Sequence, residues 1–287
     1  MCPSVMNLRY MLSRIAHGQF MGRVIIKLGG GLITDKQQYK TALKDRIDSV
    51  SRVISEIIDM GHSVIVIHGA GSYGHIEAKK WKISEGLDSE ISESQFSAID
   101  TIQRDMDELN SMVMESLRGV GISCESFPPR DWVNGIGITF AGDVSKFERN
   151  SEDIVPVIFG DVVPVIGEKK FGILSGDHLM VRLANELPDV VLCVFLLGDS
   201  SGLLTGPPDS DSSVLIERWS KSQGLVGEHD GAIDVTGGIL LKLQCASEIV
   251  ESSDHVWFMD GRVPNRMLEV LSKGETIGTR IVRDNQS

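Results

Sequence analysis

Cysteine is scarce, with four residues in 287, at positions 2, 124, 193 and 245 and without paired spacing. That excludes a disulfide framework and a cysteine-based zinc site, and it fits a reducing cytoplasm. Aromatic residues contribute 6% against a hydrophobic fraction of 41%, so the core must be mainly aliphatic. No apolar run approaches the roughly 20 residues of a membrane-spanning helix. The longest, Val190 to Leu197, reads instead as a strand buried on both faces. Basic charge is also short, 28 Lys and Arg against 40 Asp and Glu, for a formal charge of −12. This argues against nucleic acid as a partner, because that interaction rests on clustered Lys and Arg. Any polyanionic ligand must then be met by locally placed cations and backbone N–H groups. Arg9 and Arg14 are not followed by an apolar segment and a small-residue cleavage site, so no secretory signal is read. Residues 1–20 are expected to be an extension, and 21–287 a single domain. No G-x-x-x-x-G-K-[ST] occurs, which excludes a P-loop enzyme.

What is present is an alternation of short apolar runs with helical patterns. Strands are predicted at Val24 to Leu28, Ser63 to Ile67, Val155 to Phe159 and Val190 to Leu197. Helices are predicted over Arg46 to Met60, stopped by Gly61, along the stripe from Ile99 to Leu117, over Asp177 to Leu187, and over Gly238 to Glu251. The tail offers a short strand from Val256, a helix around Asn265 to Leu271, and Thr276 to Val282. This order predicts an α/β fold with a mainly parallel sheet covered on both sides. The stretch from Ser200 to Ser213, with Pro207-Pro208, reads as a surface loop. The acidic positions Asp105, Asp107 and Glu108 read as a solvated helix face, and Met106, Met112 and Met114 as core filling.

Three glycine-rich turns follow strands: Lys27-Leu-Gly-Gly-Gly31, His68-Gly-Ala-Gly-Ser-Tyr-Gly-His75 and Gly198-Asp-Ser-Ser-Gly202. In an open α/β sheet ligands bind beyond the carboxyl ends of strands, where glycine lets backbone N–H groups approach an anion. Lys27, His68 and His75 flank two of these turns, which points to phosphate. Gly69, Gly71 and Gly74 also satisfy the dinucleotide fingerprint. The second strand ending in Asp or Glu about 20 residues on is missing, however, so that reading loses its context. Lys27 lies in a buried strand, where an unpaired charge is costly, and a functional role is favoured. His68 ends a buried strand and reads as structural. Asp177 after Ser175-Gly176 reads equally as a helix cap, and Asp161 as a turn residue. His17, His62, His178, His229 and His255 show no metal-ligand spacing.

The segments Lys27 to Lys36, His68 to His75, Phe159-Gly-Asp161, Ser175-Gly-Asp177 and Asp234-Val-Thr-Gly-Gly238 with Lys242 resemble isopentenyl phosphate kinases of the amino acid kinase superfamily. The related fosfomycin kinase shares part of the pattern. The resemblance runs in order from about Gly22 to Ile281. It implies an open αβα sandwich, with an acceptor-binding part at about 21–165 and a nucleotide-binding part at about 166–287. It further implies ATP with Mg²⁺, a small phosphorylated isoprenoid substrate and a homodimer. By position it implies that His75 hydrogen-bonds the acceptor phosphate while Ala70 and Gly160 line that site. Lys27, Gly29, Gly30, Gly31 and Gly71 approach the transferring phosphates, and Lys36 stabilises the transferred group. Asp177, Asp199, Gly238 and Lys242 lie on the nucleotide side. A histidine beside a phosphate dianion is expected to have a raised pKa. The chain departs from the pattern at His178, where a second aspartate is usual, and at Ser201, where a second carboxylate is usual. Another phosphate or phosphonate acceptor, or a phosphate-binding regulator with little catalysis, are the rival readings.

Overall fold

A computed structural model describes residues 22–148, 154–208, 210–224, 238–253 and 255–284. The expected extension at 1–20, His17, His229 and residues 234–237 of the last glycine motif lie outside the described residues.

Successive strand side chains point to opposite faces, and this alternation builds two cores on one sheet. In β1 (Arg23–Leu28), Val24, Ile26 and Leu28 join one apolar cluster, and Ile25 joins the other. β1 lies between β2 (Ser63–His68) and β7 (Val190–Leu197), parallel to both, with Lys27 opposite Ile67 and Phe195. The eight-stranded sheet runs β3-β4-β2-β1-β7-β9-β10-β8, where β3 is Cys124–Ser126, β4 Val155–Phe159, β8 Arg218–Trp219, β9 Val256–Asp260 and β10 Thr279–Ile281. Only the β9–β10 pairing within it is antiparallel. The α/β expectation holds, and strands buried on both faces explain the near-continuous Val, Ile and Leu of β1, β2 and β7.

The first turn beyond β1 is helical, α1 (Gly30–Ile33). The helix α2 (Lys44–Asp59) buries Ile47, Val50, Ile54 and Ile57 against the sheet and ends before Gly61, whose φ of 90° suits glycine. A short helix α3 (His75–Lys80) follows β2, and the 28-residue α4 (Ser92–Gly119) crosses the sheet on the same side as α2. The other side is covered by α5 (Gly176–Glu186) and α6 (Ile239–Ile249). α7 (Arg266–Lys273) packs near α2.

Two features differ from expectation. A two-stranded hairpin, β5 (Asp161–Pro164) with β6 (Phe171–Leu174), packs on the core where only a turn was read. Four-residue strands, one ending in Pro164 and the other holding Gly172, are too short to register as a period. The acidic helix face also needs correction at Asp105, while Asp107 and Glu108 are exposed as read. Asp105 is buried, and its side chain pairs with Lys40; Glu108 pairs with the same lysine, and Asp107 with Arg130. Asp105 lies three residues after Ile102 and four before Leu109, on the edge of the apolar stripe, and that spacing was the available signal. Of the three methionines, Met106 and Met114 are buried core residues.

Candidate active site

The carboxyl ends of β1, β2 and β7 each release a glycine, and these three turns pack directly on one another. A Cβ on Gly30 would sit 2.4 Å from the backbone nitrogen of Gly71, and one on Gly198 would sit 2.3 Å from the Gly31 carbonyl. Gly71 itself has φ +49° and faces the Thr34 hydroxyl, so two constraints demand glycine there. Thr34 was not foreseen as a member of the site. It is buried, its Oγ1 donates to the Gly30 carbonyl (2.8 Å) and accepts from Ser72 N–H (3.0 Å), and so it ties the first turn to the second.

Above these turns opens a cleft of about 630 Å³, lined among others by Gly29, Gly30, Gly31, Lys36, Gly71, His75, Asp199, Gly238 and Lys242. Nine of the positions singled out in the sequence thus share one cavity. Lys27 and Asp177 lie beneath its floor. Strand alternation sends Lys27 to the face that carries Ile25 and Phe195, toward the start of α5. There its Nζ lies 2.5 Å from Asp177 Oδ1, both side chains being 5% exposed or less. Lys242, one turn into α6, places its Nζ 3.2 Å from Asp177 Oδ2. One buried carboxylate therefore gathers two lysines from opposite ends of the chain. Burial would raise the Asp177 pKa, but Lys27 and Lys242 outweigh it and hold the group below its usual range. Burial, with a smaller push from Lys242, lowers Lys27 to about 8 against the opposing pull of Asp177. Asp177 is not the cap of its helix; Ser175 is, its Oγ accepting from Asp177 N–H at 3.2 Å.

Lys36 and Asp199, expected to meet phosphates from different sides, meet each other at 2.8 Å. Both are more than half exposed, so the pair is weak and exchangeable. The Lys36 stem lies over Gly31, where a Cβ would come within 2.1 Å of its Cε. Any side chain at 31 would therefore require the lysine to move aside.

His75 begins α3 and stands open to the cleft. Its surroundings lower its pKa, through burial first and then through Lys242 and Lys27. The expected rise belongs to a complex with a dianion; without one, burial and then the two lysines favour the neutral ring. Ala70 and Gly160 are half-buried beside the cleft rather than in its lining. Gly160 N–H donates to the His68 carbonyl (3.1 Å), and a Cβ there would lie 3.3 Å from Gly176 N at the start of α5. His68 is structural, as read: fully buried, within hydrogen-bond distance of Gly69 O and Asn110 Oδ1, stacked on Phe159, and pushed by burial down to about 4. Asp161 is no simple turn residue. It starts β5, is buried, and binds Arg130, a contact sequence reasoning missed. His178 and Ser201 are both half-buried. Among the described residues no group of three or more His, Cys, Asp or Glu could hold a metal by itself. No helix among them is long and apolar enough to cross a membrane.

The arrangement sets backbone N–H groups, three lysines and a histidine at one cleft in a chain of net charge −12, which is suited to holding two phosphorylated molecules close together. Comparison with known proteins agrees. A model of the amino acid kinase family matches residues 22–260. Isopentenyl phosphate kinase of Thermoplasma acidophilum is 31% identical over 261 residues, covering 90% of this chain and 99% of that protein. Its counterpart in Methanothermobacter thermautotrophicus is 31% identical over 267 residues, covering 90% and 98%. A crystal structure of the T. acidophilum enzyme as a product complex superimposes with a TM-score of 0.73 at 27% identity, covering 90% of this chain and 99% of that one. The chain is a small-molecule kinase and belongs to the amino acid kinase family, among the isopentenyl phosphate kinases.

Proposed function

We propose that this protein transfers the γ-phosphoryl group of ATP to isopentenyl phosphate, giving isopentenyl diphosphate and ADP. The observation that carries the reading is the convergence of Lys27, Lys36, Lys242 and His75 on two glycine turns in backbone contact. The acceptor oxygen of a phosphate monoester is already anionic at neutral pH, so no strong base is required. The barrier is repulsion between two polyanions, and catalysis is positioning with charge neutralisation.

In this reading His75 donates a hydrogen bond to the acceptor phosphate, which Ala70 and Gly160 flank. The Gly29–Gly31 and Gly71 backbones approach the transferring phosphates. Lys36 leaves its weak pairing with Asp199 to follow the transferred group. Lys27 and Lys242 supply fixed positive charge, aimed by Asp177, and Gly238 opens the helix that carries Lys242. Mg²⁺ carried on the nucleotide would supply neutralising charge to its phosphates, and Asp199, the carboxylate in the cleft lining, would help to hold it. The acceptor part covers about 21–165 and the nucleotide part about 166–287, and two copies form the working unit.

ADP release in a coupled assay, with isopentenyl phosphate, fosfomycin and N-acetylglutamate as acceptors, tests the proposal. Isopentenyl phosphate should give the highest kcat/KM. A higher value with fosfomycin overturns the acceptor assignment. Nucleotide binding without turnover on any acceptor overturns catalysis.

A further inference from the structure

Lys36 has no strong anchor of its own, yet it sits in a loop held at two places. At the neck, residues 34–42 close through an antiparallel bridge between Thr34 and Ala42 and a hydrogen bond from Asp35 N–H to Thr41 O (2.9 Å). Thr34 and Thr41 fasten that neck to Ser72 beside the second glycine turn. At the tip, both oxygens of Asp105 are taken by consecutive loop residues. Tyr39 Oη donates to Oδ2 at 2.8 Å and Lys40 Nζ to Oδ1 at 2.9 Å, while Glu108 Oε2 accepts a second bond from Lys40 at 2.6 Å. Lys40 has φ 49°, a left-handed conformation that is unfavourable for an L-residue and persists where contacts hold it. Its ammonium also faces the Tyr73 ring at 5.8 Å, in the turn that leads to His75. The Asp105 side chain is 3% exposed, and a carboxylate so buried in a helix needs partners. Its charged partner here comes from the Lys36 loop.

We infer that Asp105 and Lys40 form a latch that positions Lys36: they fix its loop to the rigid helix α4, and so set where the Lys36 ammonium can reach in the cleft. This rests on the proposed role of Lys36 in phosphoryl transfer. Asp105 touches no substrate in this account; it is a positioning residue acting through the loop. A displacement of about 1 Å in a group that stabilises a transition state costs up to about a hundredfold in rate. The latch is therefore expected to govern kcat more than either KM.

The test is a set of steady-state measurements on Asp105→Asn, Lys40→Met and Lys40→Arg, each made alone and in a Lys36→Ala background. Asp105→Asn and Lys40→Met should lower kcat about tenfold or more, with both KM values within about twofold. Lys40→Arg, which keeps the charge and its donors, should restore most of the rate. In the Lys36→Ala background the same changes should add less than about twofold, because a latch acting through Lys36 has nothing left to position. Lys40→Met leaves the buried Asp105 carboxylate without its charged partner, whereas Asp105→Asn removes that charge, so either variant serves where the other folds poorly. Wild-type kcat in Lys40→Met, or an undiminished loss in the Lys36→Ala background, overturns the latch. Wild-type kcat in Lys36→Ala overturns instead the role of Lys36 on which it rests.

Discussion

Asp177→Asn separates the electrostatic account from a purely steric one. The side chain keeps its size but loses the charge that stands 2.5 Å from Lys27 and 3.2 Å from Lys242. Removing one member of a buried ion pair costs about 3–5 kcal/mol, because the other charge is left uncompensated. Lys27 has an escape that limits the loss. Its pKa is already lowered to about 8, chiefly by burial, and without Asp177 it falls further, so the amine sheds its proton near neutrality. The expected cost at pH 7 is then near the lower figure, about 3 kcal/mol. The sign of the pH dependence follows. Unfolded Lys27 stays protonated up to about pH 10.4, whereas the folded variant has already lost its proton, so raising the pH favours the folded state. The deficit relative to wild type should shrink between pH 7 and 9. Urea unfolding followed by tryptophan fluorescence at these two pH values measures it. In the double variant Lys27→Met, Asp177→Leu, stability should largely return while phosphoryl transfer does not. Wild-type stability of Asp177→Asn at pH 7, or a deficit that grows with pH, would refute the reasoning.

Other consequences are as direct. For the free enzyme, kcat/KM should fall above pH about 8 as Lys27 loses its proton, and Lys27→Arg should move that limb to higher pH. Since burial, and after it Lys242 and Lys27, hold free His75 below its ordinary pKa, binding a phosphate dianion should draw in a proton. Calorimetry of acceptor binding in buffers of different ionisation enthalpy should detect that uptake, and His75→Ala should abolish it together with most activity. Gly30→Ala drives a methyl to within 2.4 Å of the Gly71 nitrogen, which is backbone and cannot step aside. A loss of about a hundredfold in kcat/KM is expected, with about 1–3 kcal/mol of stability. Arg130→Ala strands the buried Asp161 carboxylate, whose pKa burial already lifts to about 6 despite the arginine. Such a variant should be least impaired in stability below pH about 6, where Asp161 is protonated, and urea midpoints at pH 5 and 7 should show it.

What was legible in the sequence followed from local chemistry. A lysine inside an apolar strand announced Lys27, since only a partner makes that placement tolerable. Alternation along β1 fixed the face it would use, but not that Asp177, 150 residues later, would receive it. Glycine turns after strands located the cleft, because close backbone approach leaves no room for a side chain. Lys36 had no such signal. An exposed loop lysine looks like any other, and only the family pattern singled it out. Asp105 was misread because charge on a long helix normally faces water; the loop that covers it folds back from 65 residues away. The β5–β6 hairpin and the Asp161–Arg130 pair were hidden for the same reason, their partners being distant in sequence or too short to carry a period.

The central claim is that phosphoryl transfer ends on a phosphate. Phosphorus-31 NMR of the protein with ATP, Mg²⁺ and isopentenyl phosphate addresses it directly. The account predicts that the monoester resonance gives way to the coupled doublets of a diphosphate, in step with ADP and with no excess inorganic phosphate. Loss of ATP to ADP and inorganic phosphate, with the monoester signal unchanged, would contradict it.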